Sequence, residues 1–316
     1  GSESVPDRSG TRTLTHEVRA ERMRTTGSVD EVRELVGAAR RNKLRVGCVP
    51  TMGALHHGHS SLIQQAVADC GFVVVTLFVN APQFDDPSDF QRYPRRLEDD
   101  LATCRTLDVD LVFAPDEHTV YPPDGQTTVD VGRLGQVLEG QHRPGHFQGV
   151  ATVVIKMLNI TAPDSAYFGQ KDFQQQLVIR RLCQDLHLPV DIITCPTIRD
   201  NDGLALSSRN VLLDPKQRDT ATALSRVLGL TRHQWHNGTT DLPELRRFLT
   251  DQLNAVPDLE VDYATIVDTS RLEETTLADK PLVALVAATV GNVRLIDNLP
   301  LDNLTRDNNH PTNHEP

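Results

Sequence analysis

Between about residues 28 and 195, short β-branched runs alternate with amphipathic segments, and that alternation leaves few folds open. Segments 28–41, 60–70, 94–107, 150–160 and 172–186 read as helices, and 44–49, 72–79, 111–114, 166–169 and 190–195 as strands. Ser28 is placed to cap the first helix, with Glu31 three residues on and Val32, Leu35 and Val36 as its apolar stripe. Run 72–79 is almost wholly apolar and β-branched, the pattern of a central parallel strand covered on both faces. Strands alternating with helices make βαβ units, so 28–197 is expected to be an α/β domain with a doubly wound, Rossmann-like parallel sheet. Ligands of such sheets bind outside the carboxyl ends of the strands.

Beyond residue 197 the pattern changes to helices (217–235 and 242–253) followed by strands (261–267, 282–288 and 293–296). A smaller α+β C-terminal domain, acting as a lid over 198–304, is expected. The polar ends, 1–27 and 305–316, are expected to be a disordered leader and tail, and the opening Gly-Ser-Glu-Ser-Val-Pro reads as a tag remnant without a signal core. Nothing approaches the roughly 20 apolar residues of a membrane helix, so no membrane role is expected. Net charge is −11, which excludes a general electrostatic grip on nucleic acid, and 4% aromatics argue against stacking platforms for single strands. Five cysteines without a C-x-x-C pair fit buried free thiols in a reducing cytoplasm.

Five polar motifs fall where strands end. The first, 50–59, holds Gly53, His56, His57, Gly58 and His59 between a strand and a helix. Its glycines allow close backbone approach, and a helix N-terminus offers N–H groups to a phosphate. His56 and His59 are three apart around a glycine, so both imidazoles can face one anion while His57 points elsewhere. A zinc site would want further ligands, and no H-E-x-x-H is present. The second motif, 168–175, brings Lys171, one of only five lysines, to a strand end. Asp172 there can cap the helix or bind ribose. The third, 199–210, carries Ser207, Ser208 and Arg209, a compact donor set for phosphate oxygens, or an ordinary polar turn. The fourth, 78–84, offers Asn80 and Gln83, and the fifth, 138–150, offers Arg143 and His146 among glycines that can equally serve as turn formers.

In this order the five motifs resemble the pantoate–β-alanine ligase (pantothenate synthetase) family of the H-x-G-H nucleotidyltransferase superfamily. The resemblance runs from about residue 28 to 301 and includes the stretch 291–298. The chain departs from the family pattern at Ala81-Pro82, where proline usually follows the asparagine directly. Asp200 and Gln170 stand where glutamate is common, and His57 fills a variable slot. The resemblance implies a two-step ligase: ATP and (R)-pantoate give pantoyl adenylate and pyrophosphate, then β-alanine displaces AMP to give pantothenate. It implies that ATP contacts Met52, Gly53, Ala54, Leu55, His56, His57, Gly58 and His59, then Gly169, Gln170, Lys171 and Asp172, and also Ile198, Leu206, Ser207, Ser208 and Arg209. Of these, His56, His59, Lys171, Ser207, Ser208 and Arg209 would be catalytic. Gln83 and Gln175 would hold pantoate. Mg2+ is expected with ATP, without an assigned protein ligand, and a cytoplasmic homodimer is implied. Two rivals stand beside this reading: a dinucleotide-releasing nucleotidyltransferase and a non-catalytic nucleotide-binding module.

Overall fold

The computed structural model describes residues 23–302. Contacts divide the chain into two compact units. One runs up to Arg199 and regains Leu206–Ser208; the other comprises Asp200–Ala205 and the chain from Arg209.

In the first unit the elements follow in order: β1 (Arg24–Thr26), α1 (Val29–Arg41), β2 (Val46–Thr51), α2 (His57–Asp69), β3 (Phe72–Leu77), α3 (Pro87–Arg92), α4 (Leu97–Thr106), β4 (Leu111–Phe113), α5 (Glu117–Val120), α6 (Glu139–His142), α7 (His146–Thr161), β5 (Ser165–Gly169), α8 (Phe173–Asp185) and β6 (Asp191–Cys195). The six strands are all parallel in the order β1-β4-β3-β2-β5-β6. This is the doubly wound sheet that the alternation predicts. Val73, Val74 and Val75 are fully buried, as a strand covered on both faces requires. Helix α7 buries residues around most of its circumference, which suits a central position.

Several boundaries differ from the sequence reading. The sequence predicts a disordered leader to residue 27, but Arg24–Thr26 form edge strand β1, paired with Leu111–Phe113. Its Arg-Thr-Thr sequence has no apolar signal, and the ladder to β4 supplies the order. Residues 1–22 and 303–316 lie outside the described residues. The expected helix 94–107 starts only at Leu97, as α4, and an unexpected short helix, α3, precedes it; Pro94 holds Tyr93 at ψ 127°, which ends α3.

The second unit holds α9 (Pro215–Ala221), α10 (Ala223–His236), α11 (Leu242–Asn254) and an antiparallel sheet β7-β8-β9 (Leu259–Asp268, Leu282–Val290, Val293–Pro300). One expected helix, 217–235, is broken at Thr222, whose hydroxyl bonds back to Asp219 O. Leu242, Leu245, Leu249 and Leu253 recur at helical spacing on α11 and join the core around Ala284, Val286 and Ala288 of β8.

Candidate active site

The sheet order reverses between β2 and β5. From β2 the chain winds outward through β3 and β4; β5 and β6 lie on the other side. A crevice opens at such a switch point, at the carboxyl ends of the two strands. The loop after β2 is the first motif, and the turn after β5 is the second.

The loop is held from below by a carboxylate. Buried Asp100 on α4 accepts from Ala54 N at 2.9 Å and Leu55 N at 2.8 Å. Gly53 has φ +79°, and a Cβ there would meet Asp100 Oδ2 at 2.8 Å, so only glycine fits. Helix α2 begins at His57, three residues earlier than expected, because the histidines themselves cap it. His56 Nδ1 accepts from Gly58 N at 3.0 Å, and His59 Nδ1 accepts from His56 N at 3.3 Å. This is a capping box built from two imidazoles instead of the usual hydroxyl and carboxylate. It corrects one expectation: the amides of Ala54, Leu55, His56 and Gly58 are already paired internally, so the loop does not offer those N–H groups to a phosphate.

What the loop offers instead is imidazole. With Nδ1 accepting on both rings, the neutral tautomer carries its hydrogen on Nε2, and each ring presents one N–H donor away from the backbone. The ring centroids are 4.1 Å apart. Burial, then the neighbouring Lys171, lowers the His56 pKa, while burial, then His56, pushes His59 down to about 3. At neutral pH, His59 is therefore uncharged. His57 is exposed.

Lys171 and Asp172 act electrostatically on both histidines, so the second motif converges with the first. They lie 3.8 Å apart as an ion pair. Asp172 occupies the cap position of α8, but its side chain makes no capping bond. Gly169 ends β5, and Gln170–Asp172 form a 3-10 turn.

The fourth motif is the most tightly determined. Ala81–Gln83 form a 3-10 turn, with Pro82 inside it. Asn80, fully buried, donates through Nδ2 to Gln83 Oε1 at 3.0 Å and to Gly149 O at 3.1 Å. A Cβ at Gly149 would meet Gln83 N at 2.6 Å, so glycine lets α7 reach the turn. His146, on the first turn of α7, donates from Nδ1 to Gln83 O at 2.7 Å. Its Nε2 then accepts from Arg143 at 3.4 Å, and Arg143 is itself paired with Asp85 at 3.0 Å. Burial, then Arg143, pushes the His146 pKa down to about 4. The fifth motif thus serves the fourth through Arg143 and His146.

On α8, buried Gln174 bonds to Leu134 O, Val137 O and Glu139 N, while its neighbour Gln175 is only half-buried. Among the described residues, the Gln175 side-chain amide and Gln83 Nε2 have no hydrogen-bond partner within the protein. Met52 is half-buried, and Phe84 packs edge-on against Phe90 and Tyr93. In the third motif, Leu206 N bonds to Ile198 O at 2.9 Å, with Ser207 and Ser208 following. The turn Asp200–Gly203 is clamped by Arg218, which pairs with Asp200 at 2.7 Å and Asp202 at 2.8 Å. Ile198, Leu206, Ser207 and Ser208 are not among the groups these interactions gather at the histidines, and Arg209 belongs to the second unit.

Sequence reasoning missed Asp100 and Tyr121. Asp100 sits in an acidic run with Glu98 and Asp99, and no local signal separates the buried carboxylate from its exposed neighbours. Tyr121 follows α5, far in sequence from the Asn80 that it contacts at 2.6 Å.

Among the described residues, no group of three or more His, Cys, Asp or Glu could hold a metal ion, and no helix is long and apolar enough to cross a membrane.

The family model described as pantoate-beta-alanine ligase matches residues 24–300. Pantothenate synthetase of Roseiflexus castenholzii is 49% identical over 257 residues, 81% of this chain and 92% of that one. Its counterpart in Thermotoga neapolitana is 43% identical over 276 residues, covering 87% and 99%. The crystal structure of pantothenate synthetase from Thermus thermophilus superposes with a TM-score of 0.83 at 43% identity, covering 88% of this chain and 99% of that one. Pantoate-beta-alanine ligase from Francisella tularensis, solved with beta-gamma ATP and beta-alanine, gives 0.72 at 33% identity over 88% and 98%.

Proposed function

The chain belongs to the pantoate–β-alanine ligase family, enzymes of pantothenate biosynthesis that condense pantoate with β-alanine using ATP, and from that premise we propose how its own residues do so. A pantoate carboxylate oxygen attacks the α-phosphorus of ATP, the bond to the β-phosphate breaks, and pyrophosphate leaves. The amine of β-alanine then attacks the acyl carbon of the (R)-pantoyl adenylate; the acyl C–O bond breaks, AMP leaves, and the amine loses a proton. The observation that carries this reading is the pair of back-bonded imidazoles at the switch point, beside Lys171.

Phosphoryl displacement gives the protein little covalent chemistry to do, so catalysis is mostly positioning and charge stabilisation. His56 and His59 supply two preorganised neutral donors to the α-phosphate oxygens as charge builds there. A His59 pKa of about 3 makes it a hydrogen-bond donor at neutral pH and not a proton donor of the imidazolium kind. Lys171 supplies a compact positive charge to the departing phosphates. Met52–His59 and Gly169–Asp172 line ATP, with Ile198 and Leu206–Arg209 assigned to the phosphates and nucleoside on their motif. Gln83 and Gln175 hold pantoate: Gln83 donates through Nε2 and the Gln175 amide can both donate to and accept from a hydroxyl, against apolar walls at Met52 and Phe84.

On the family resemblance, Mg2+ would enter with the ATP phosphates. When bound it neutralises phosphate charge. The cytoplasmic location rests on five buried free thiols, and the homodimer rests on the family resemblance, which light scattering tests directly. For the chemistry, pyrophosphate–ATP exchange should require pantoate and proceed without β-alanine. Exchange that required β-alanine would sink the two-step order.

A further inference from the structure

We propose that Tyr121 is a positioning residue for the acid substrate: through Asn80 it locks the Gln83 amide with its NH2 end free. This rests on the reading that Gln83 holds pantoate. The direction of the chain follows from donor and acceptor chemistry. The Tyr121 hydroxyl lies 2.6 Å from Asn80 Oδ1, which can only accept, so the hydroxyl donates. Gly149 O can only accept, so Asn80 turns Nδ2 toward it at 3.1 Å, and Nδ2 also donates to Gln83 Oε1 at 3.0 Å. Gln83 Oε1 is then occupied, and its Nε2 is the end left for a ligand oxygen. His146 pins the same residue by its main chain, through Gln83 O. Both the position of Gln83 and the rotation of its amide are thus specified before substrate arrives.

The tyrosine suits this role. Lys156 donates to Val120 O at 2.9 Å, with its ammonium 5.0 Å from the Tyr121 ring centroid, and so holds the chain beside the ring. Burial raises the phenol pKa to about 12, so the hydroxyl stays a donor throughout the assay range. Without it, fully buried Asn80 Oδ1 would be left unpaired, and only the two bonds of Nδ2 would hold the Asn80 amide in place.

Tyr121→Phe keeps the ring and removes only the hydroxyl. It should raise the KM for pantoate about fivefold, the scale of one lost internal hydrogen bond, while the KM for ATP stays within about twofold. In a Gln83→Ala background, the same substitution should add nothing. The Gln83 side-chain NH2 resonance, assigned by its disappearance in Gln83→Ala, should shift in Tyr121→Phe without any substrate present. An unmoved resonance overturns the proposal whatever the kinetics show. So does an undiminished Tyr121→Phe effect in the Gln83→Ala background. If Gln83→Ala leaves pantoate kinetics intact, the pantoate assignment falls instead, and the substrate-free resonance alone decides the relay.

Discussion

The two units bury polar groups in opposite ways. Around the carboxyl edge of the parallel sheet, the first unit buries Asn80, Gln83, Asp100, Glu139, His146 and Gln174. Their bonds run between distant segments: Asp100 to the loop after β2, Gln174 to 134–139, and Asn80 to Gly149. The second unit buries a leucine-rich core, and its buried Asp268 is satisfied within one turn by Ser270, Arg271 and Glu273. Apart from that of Asp268, its shifted pKa values belong to surface pairs such as Lys216 with Asp258 and Arg218 with Asp202, and the paired carboxylates are held below their ordinary range. A half-satisfied buried network is costly, so a fold keeps one only where every member has a partner or a ligand completes it. By that logic the first unit specifies most of the chemistry and the second, Arg209 apart, chiefly supplies stability.

Substitutions in the two units should therefore fail differently. The largest effect belongs to His59→Ala and His56→Ala: adenylation, read by single-turnover pyrophosphate release, should fall by roughly two to three orders of magnitude, as for loss of one preorganised donor. The unfolding free energy should fall only by the scale of a lost cap, about 1 kcal/mol, and exposed His57→Ala should be silent in both assays. Leu249→Ala is the counterpart in the second unit. Deleting this fully buried side chain should cost about 3 kcal/mol in denaturant unfolding while leaving both substrate KM values unchanged. A catalytic defect in Leu249→Ala larger than that of His57→Ala would blur the division.

Smaller effects sharpen it. Gln83→Ala and Gln175→Ala should each lose about 1–3 kcal/mol of pantoate recognition, read as KM, with ATP binding unchanged. If ATP affinity fell instead, the pocket assignment would be abandoned. Acid sensitivity is the subtlest test. The folded pKa of His146 is depressed to about 4 against an ordinary 6.5, so the unfolded chain binds the extra proton first. The stability that its neutral ring contributes is complete above pH 6.5 and is lost as pH falls from there toward 4. His146→Gln should unfold with a shallower pH dependence across that window, and an equal slope would remove His146 from the account.

The layout of the sheet was legible in the sequence because β-branched runs and amphipathic segments have different periods. The site was legible as far as its motifs were contiguous: His56, His59 and Lys171 each stand at a strand end. Three things were not legible. Strand β1 carries no apolar pattern, because an edge strand of three residues is ordered by its neighbour. The early start of α2 was hidden because histidine is not an ordinary capping residue. Asp100, Tyr121 and the Gln174 scaffold act on residues 35 to 46 positions away, and no local pattern encodes such a pairing. Pro82 raised a question that only backbone could answer: it falls inside a 3-10 turn whose bonds come from Gln83 N and Phe84 N, so its missing N–H is not needed.

On the proposed chemistry, the site presents two neutral imidazoles, each with Nδ1 engaged by the backbone and Nε2–H turned to phosphate. Nitrogen-15 NMR of the histidine rings, with His56 and His59 assigned by single substitutions, reads tautomer and charge directly. Both rings should be neutral Nε2–H tautomers at pH 7, and His59 should remain so when the pH is lowered to 5. Nδ1–H tautomers, or a His59 ring that takes up a proton near pH 6.5, would contradict it.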